Sequence, residues 1–367
     1  MRAQWRIHRK IDMSKISVAV LGATGMVGQR FVQMLEDHPW FEIEGLYASE
    51  RSDGKRFGDV LKVRDHEYSD DTLDRRIEVM DLDKISRSCR IAFSGIPSDL
   101  AGATETELAE RGVGVYSNAG SHRMDPDVPI IIPEVNSDQL ESVRDQASFS
   151  ESGGYIVTNA NCASTGIAAP LYAIDRAYGL KQVFVSTYQA LSGAGYPGVP
   201  SLDAVGNVVP FISHEEEKME SELAKILGTY SDGSFHPASF KVMANCARVP
   251  VVDGHLESLV LDLDGQPSLE ELDRCLSEFV GEPQKLGLPT APEKPIVVRH
   301  EQNRPQPMFD VMAGRPARAR GMAVTVGRLR QSNGYYKAFA LSHNTIRGAA
   351  GGSVLNAELA KAKGLVQ

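Results

Sequence analysis

From residue 15 to residue 158, short apolar runs alternate with stretches whose apolar positions fall at helical spacing. The first run, 15–21, passes into Gly22-Ala-Thr-Gly-Met-Val-Gly28, and Val27, Phe31, Met34 and Leu35 then mark one face of a helix. A second strand is predicted at 41–48, completing a β-α-β unit with a glycine-rich first turn. Further strands are predicted at 76–80, 90–94, 114–117, 130–133 and 155–158, with a helix at 104–111 among them. Strands that alternate with helices in this way predict an α/β fold, a doubly wound parallel sheet of Rossmann type.

Beyond Cys162 the pattern changes. Segments 181–190, 256–263, 321–330 and 335–342 are long alternating strands with few helices between them. One intervening helix, 215–227, places Met219, Leu223, Ile226 and Leu227 on one face. Another opens with the capping box Ser268-Leu-Glu-Glu271 and turns Leu269, Leu272, Leu276 and Phe279 inward. This half therefore reads as an α+β catalytic and dimerisation domain on a mainly antiparallel sheet. Its apolar sheet face needs cover, which favours a subunit interface. The expected division is a dinucleotide-binding domain over 13–160 and a second domain over 161–343. The Gly/Ala-rich tail 344–367 reads as a helix returning to the first domain, and the Pro/Gly-rich stretch 281–295 as a connection.

A chain of 367 residues suits two domains, and 42% hydrophobic with 24% charged residues is ordinary for a water-soluble fold. The net charge of −9 argues against nucleic acid as a partner. No apolar run approaches the roughly 18 residues of a bilayer span, so no membrane is expected. The four cysteines lie far apart with no C-x-x-C pair, which excludes a zinc knuckle and fits a reducing, cytoplasmic setting. Residues 1–12 are basic and precede a second methionine, Met13, without an apolar signal core. They read as a start-site extension rather than a targeting segment.

Candidate chemistry centres on Asn159-Ala-Asn-Cys-Ala-Ser-Thr-Gly166, between a short buried strand and an apolar helix. Cys162 falls at the helix N-terminus, where unpaired N–H groups and the helix dipole would stabilise a thiolate. The alternative is a small buried hydrophobe. The turn Gly22, Thr24, Gly25, Met26, Val27, Gly28 has the strand-turn-helix setting of a dinucleotide cradle. At the end of the second strand, Ser49, Arg51 and Ser52 offer hydroxyls and a guanidinium to a 2′-phosphate, favouring NADP over NAD, with Glu50 read as pointing away. Gln189 ends a strand before a glycine-rich loop that includes Ser192 and Gly193. His214-Glu-Glu-Glu-Lys218 opens a helix, more plausibly as a solvated N-terminus than as a metal site, and no metal is expected. Arg248 and His255 lie seven residues apart, Arg123 offers a free basic group, and Asn344 starts the last helix. A cysteine nucleophile, a histidine proton carrier and a nicotinamide site together point to thiol-mediated aldehyde oxidation.

These motifs resemble the aspartate-β-semialdehyde dehydrogenases of the archaeal and fungal-like branch, from about Met13 to the C-terminus. The resemblance implies that Cys162 is the nucleophile and His255 the acid–base group. It implies that Gln189 and Asn161 orient and polarise the covalent intermediate. Arg248 would grip the substrate carboxylate and Glu215 its ammonium group, with Glu216 the alternative. Lys218 and Arg123 would bind phosphate, and Asn344 would hold the nicotinamide near Ser192 and Gly193. The implied oxidative reaction joins Cys162 to aspartate semialdehyde as a thiohemiacetal, passes hydride to NADP⁺ to leave a thioester, and releases β-aspartyl phosphate when inorganic phosphate displaces the thiol. The reverse direction feeds lysine, threonine and methionine synthesis. The family forms homodimers and homotetramers. Malonyl-CoA reductase, on the same scaffold, is the nearest competing reading. N-acetyl-glutamyl-phosphate reductase uses similar chemistry, but its acylated amine would not need Glu215. A catalytically inactive NADP-binding regulator is the third alternative.

Overall fold

Seven strands of the first half form a wholly parallel sheet in the computed structural model, which describes residues 15–63 and 65–366. The N-terminal extension 1–12 lies outside the described residues. In chain order the elements are β1 (Ile16–Leu21), α1 (Met26–Leu35), β2 (Phe41–Ala48), β3 (Ile77–Val79), β4 (Ile91–Ser94), α2 (Ser98–Glu110), β5 (Gly114–Ser117), β6 (Ile130–Ile131) and β7 (Tyr155–Asn159). Their order across the sheet is β3-β2-β1-β4-β5-β7-β6. The chain winds outward in both directions from the β1/β4 boundary, and a crevice opens at the C-terminal strand ends there. β4, β5 and β7 are buried on every residue, which explains their unbroken apolar runs. Helix α2 begins six residues before its predicted start, because Pro97 and Ser98 supply its first turn. β6 stops at Ile131, since Pro133 opens a helical turn.

The second half starts with α3 (Cys162–Tyr178), which packs against a six-stranded sheet. The remaining elements are β8 (Leu180–Gln189), α4 (Glu215–Ile226), the hairpin β9 (Thr229–Ser231) and β10 (Ser234–His236), β11 (Lys241–Arg248), β12 (His255–Leu263), α5 (Leu269–Ser277), β13 (Ile296–Arg299), β14 (Val324–Ser332), β15 (Tyr335–Ser342) and α6 (Gly351–Ala362). The six strands run β11-β8-β12-β15-β14-β13. The three central pairings are antiparallel, as expected, and both edge pairings, β11–β8 and β13–β14, are parallel. Neither β11 nor β13 is legible as a strand in the sequence. β11 carries Lys241 and Asn245 and is mostly half-exposed, while β13 has four residues after a proline-rich loop.

The capping box at Ser268 forms as read, with both of its hydrogen bonds present. Val354, Leu355, Leu359 and Ala360 of α6 pack into the hydrophobic core of the parallel sheet. The C-terminal helix is therefore part of the first core, while α3 and the buried face of α4 fill the second.

Candidate active site

Cys162 is the first residue of α3, and Asn161 is its N-cap. The Asn161 Oδ1 accepts from the N–H groups of Ala163 (2.9 Å) and Ser164 (3.1 Å). The expectation of free helix N–H groups beside the thiol therefore holds only for the N–H of Cys162 itself, because the cap occupies those of Ala163 and Ser164. Burial, and then the carboxylate of Glu215, push the Cys162 thiol up to about 12, although one edge of the residue stays open to the cleft. Arg123 and Arg248 oppose this shift.

His255, the first residue of β12, brings Nε2 to 3.1 Å from the Cys162 sulfur. Its Nδ1 accepts the Ala190 N–H at 3.1 Å, so the neutral ring carries its proton on Nε2, facing the sulfur. Burial and the positive charge of Arg248 hold the imidazole down to about 3. Forming an imidazolium would also forfeit the Ala190 hydrogen bond. In the resting site His255 is thus a hydrogen-bond donor to sulfur, poised to donate to an oxygen formed there.

Two side-chain amides meet on Glu215, the buried first residue of α4. Asn161 Nδ2 donates to its Oε1 at 2.9 Å, and Gln189 Nε2 donates to the same oxygen at 3.0 Å. Gln189 gives its second N–H to Thr187 at 3.3 Å. Both hydrogens of the Gln189 amide and one of the two on Asn161 are therefore engaged, and both bonds to Glu215 fall on one oxygen, leaving Oε2 for a ligand. Glu216, the alternative, accepts the Cys246 N–H at 2.9 Å away from this cluster. Arg248, on the neighbouring β11, is buried and held by one bond to the Ala190 carbonyl (2.9 Å).

Arg123 is not the free cation the sequence suggested. It forms a buried ion pair with Glu222 at 2.9 Å and donates to the carbonyls of Asn159 and Asn118. Three of its five N–H groups are used, and two remain for the cleft. Glu222 was missed in the sequence, and its other oxygen accepts the Asn161 N–H at 2.7 Å. The signal for it is periodicity, since Glu222 stands seven residues after Glu215 on the face that buries Met219, Leu223 and Ile226. Lys218, three residues after Glu215, is half-buried and borders the same cleft. His214 is exposed and makes no side-chain cap.

One cleft of about 600 Å³ joins these groups to the glycine turn. Gly25, Met26, Val27, Cys162, Gln189, Ser192, Gly193, Glu215, Lys218, Arg123, Arg248 and Asn344 all border it. Asn344 donates to Ser192 Oγ at 2.8 Å and accepts the Gly254 N–H at 2.8 Å. At the other end, the N–H groups of Gly22 and Ala23 bond to the Tyr47 carbonyl and seat the turn against β2. A Cβ on Gly28 would lie 2.0 Å from the Gly22 carbonyl oxygen, so only glycine allows α1 to start this close. No side chain caps α1, and its N-terminus faces the cleft, as a pyrophosphate cradle requires. The turn therefore fits a dinucleotide. Ser49 and Arg51 are exposed and Ser52 half-buried on the turn after β2, outside the walls around Cys162. A dinucleotide laid along the glycine turn would carry its adenosine end towards this turn. The sequence reading also missed a second glycine turn, Gly95–Ser98 after β4, which borders the same cleft.

A Rossmann-type sheet and a cysteine on one cleft, the cysteine backed by a buried histidine, define a nicotinamide-dependent thiol oxidoreductase. The chain belongs to the semialdehyde dehydrogenase family. Residues 17–143 match the model of the semialdehyde dehydrogenase NAD binding domain, and residues 169–347 that of its dimerisation domain. An aspartate-semialdehyde dehydrogenase of Methanothermobacter thermautotrophicus is 48% identical over 349 residues, covering 94% of this chain and 98% of the relative. The crystal structure of aspartate semialdehyde dehydrogenase with NADP from Candida albicans superposes with a TM-score of 0.85 at 37% identity, covering 96% of this chain and all of that one. A malonyl CoA reductase (NADP) of Metallosphaera sedula is 38% identical, over 96% of this chain and 98% of its own length.

Proposed function

We propose that this chain is an NADP-dependent aspartate-semialdehyde dehydrogenase, interconverting β-aspartyl phosphate and L-aspartate-β-semialdehyde. The observation that carries the reading is the single cleft. It holds a nucleophile paired with an imidazole at 3.1 Å, and it also holds Glu215 and Arg248, opposite charges suited to an amino acid's ammonium and carboxylate. NADP, when bound along Gly22–Gly28 with its nicotinamide end near Asn344, supplies the hydride acceptor or donor.

The protein's own groups do the rest. Arg248 and the free oxygen of Glu215 hold the substrate by its two charges, and this fixes the aldehyde carbon against the Cys162 sulfur. As the carbon–sulfur bond forms, the Nε2–H of His255 passes to the aldehyde oxygen and the Cys162 thiol proton takes its place on Nε2, so the thiohemiacetal forms with no net change of charge. Gln189 and Asn161 keep Glu215 in place, and the second Nδ2 hydrogen of Asn161 stays available to the intermediate. Lys218 and the two unused N–H groups of Arg123 receive inorganic phosphate, whose attack on the thioester releases the thiol.

Malonyl-CoA reduction is the second reading, on the strength of the Metallosphaera sedula relative. It leaves Glu215 without a substrate charge to meet, so the amino-acid reading is preferred. A homo-oligomer assembled through the second domain, in the cytoplasm, completes the proposal. No helix among the described residues is long and apolar enough to cross a membrane.

The test is NADP⁺ reduction by the purified protein with L-aspartate-β-semialdehyde and phosphate, beside malonate semialdehyde and NAD⁺ controls. Phosphate-dependent turnover of the amino aldehyde is expected. Turnover of malonate semialdehyde alone, dependent on coenzyme A rather than phosphate, would replace this reading by the second.

A further inference from the structure

Behind the glycine turn a single guanidinium stands where three parts of the chain converge. Arg30, two residues past Gly28 on α1, is 1% exposed. Its Nε donates to Thr345 Oγ1 at 3.2 Å, and one terminal nitrogen donates to Asp65 (2.6 Å) and Gln33 (2.8 Å). The other terminal nitrogen lies 3.6 Å from Asp253 Oδ2. Thr345 follows Asn344, and Asp253 stands two residues before His255. Those two stretches are already joined by the bond from the Gly254 N–H to Asn344.

Asp65, Asp253 and His343 bring one potential ligand atom each to within 4.8 Å of one another. Such a set resembles a divalent-cation site, but here Arg30 is the cation, paired with both carboxylates. His343 adds no second charge. Burial, followed by the charge of Arg30, pushes it down to about 4. A buried guanidinium is costly unless its partners are in place. Two of these partners, Thr345 and Asp253, lie beside Asn344 and His255, across the cleft from the turn that would hold the pyrophosphate.

We propose that Arg30 is a positioning residue for hydride transfer. It pins the glycine turn to the segments carrying Asn344 and His255, and so sets the distance from the nicotinamide to Cys162. This rests on the dehydrogenase reading above.

The test uses the full chain with Arg30→Met, Arg30→Lys and Thr345→Val. Four readouts are needed: kcat, the primary isotope effect with aldehyde-deuterated substrate, the NADP⁺ Kd by calorimetry, and shielding of Cys162 from iodoacetamide by NADP⁺. Displacements on the order of 1 Å cost up to about 100-fold in rate. Arg30→Met should therefore lose about 10- to 100-fold in kcat with a larger isotope effect. Its Kd should change by less than about threefold, and NADP⁺ should no longer shield Cys162. Arg30→Lys should fall between. Thr345→Val, which removes one arm and no charge, should move the same way by less, and it decides the matter if Arg30→Met does not fold. Wild-type kcat and shielding in a folded variant would overturn the proposal, as would a kcat loss fully matched by Kd or with an unaltered isotope effect. An inactive wild type would instead bring down the dehydrogenase reading, and this proposal with it.

Discussion

Gly348 gives the sharpest test of how the nucleophile is placed. It lies in the turn that leads into α6, and a Cβ there would sit 2.8 Å from the Cys162 Cβ and 3.0 Å from its Cα. Carbon atoms in normal contact stand roughly 3.5–4.0 Å apart. Gly348→Ala therefore requires the two chains to part by about 0.7–1.2 Å. Ile346 and Ala350, on either side of Gly348, are locked in the core of the parallel sheet and resist moving, so part of the displacement falls on the Cys162 Cβ and the sulfur it carries. A misplacement of about 1 Å costs on the order of 100-fold in rate, or about 2.7 kcal/mol in the barrier. The glycine turn lies elsewhere in the cleft, so the NADP⁺ Kd should stay within about threefold. Steady-state kinetics, calorimetry with NADP⁺ and a thermal melt separate the possibilities. A folded Gly348→Ala protein with near wild-type kcat would refute the claim that Gly348 sets the sulfur's position. A proportional loss of NADP⁺ affinity would show that the strain is relieved on the cofactor side instead.

Two more predictions follow from the electrostatics and the loop geometry. With no ligand present, alkylation of Cys162 by iodoacetamide should climb with pH without a plateau below about pH 10, because the thiol is pushed up to about 12. The negative charge of Glu215 contributes to that rise, so Glu215→Gln should shift the alkylation curve to lower pH while raising KM for the amino aldehyde about 10- to 100-fold. A wild-type plateau near pH 7 would contradict the burial argument. Gly28→Ala, whose Cβ would meet the Gly22 carbonyl at 2.0 Å, should abolish measurable NADP⁺ binding, whereas Gly25→Ala, with one neighbour at 3.3 Å, should bind within about tenfold of wild type. Equal affinities in calorimetry would remove the cradle from the cofactor site.

Much of the architecture was legible because its period is local. Buried parallel strands such as β4 and β7 read as continuous apolar runs, and the capping box at Ser268 is a four-residue signature with one geometric meaning. β11 escaped because it is mostly half-exposed and gains its identity only by pairing with β8, fifty-nine positions back in register at Lys241 and Gln182. Gly22–Gly28, Cys162, Gln189, Arg248 and His255 could be picked out singly, since each residue type in its turn or strand end suggests a chemistry, whereas Glu215 and Asn344 gained their roles only from the family resemblance.

By itself the sequence determined the element types, the glycine turn, the helix start at the nucleophile and the charge inventory, because each depends on neighbours within a few residues. Only the tertiary structure decided what those groups are free to do. It engaged the amides of Asn161 and Gln189 with Glu215, gave Arg123 a buried partner in Glu222, and occupied the N–H groups of Ala163 and Ser164 just after Cys162. It also aimed the His255 proton at sulfur through the Ala190 N–H. The physical reason is that hydrogen-bond capacity and proton affinity belong to surroundings assembled from distant segments, and a buried donor or acceptor must be satisfied by whichever of them packs against it.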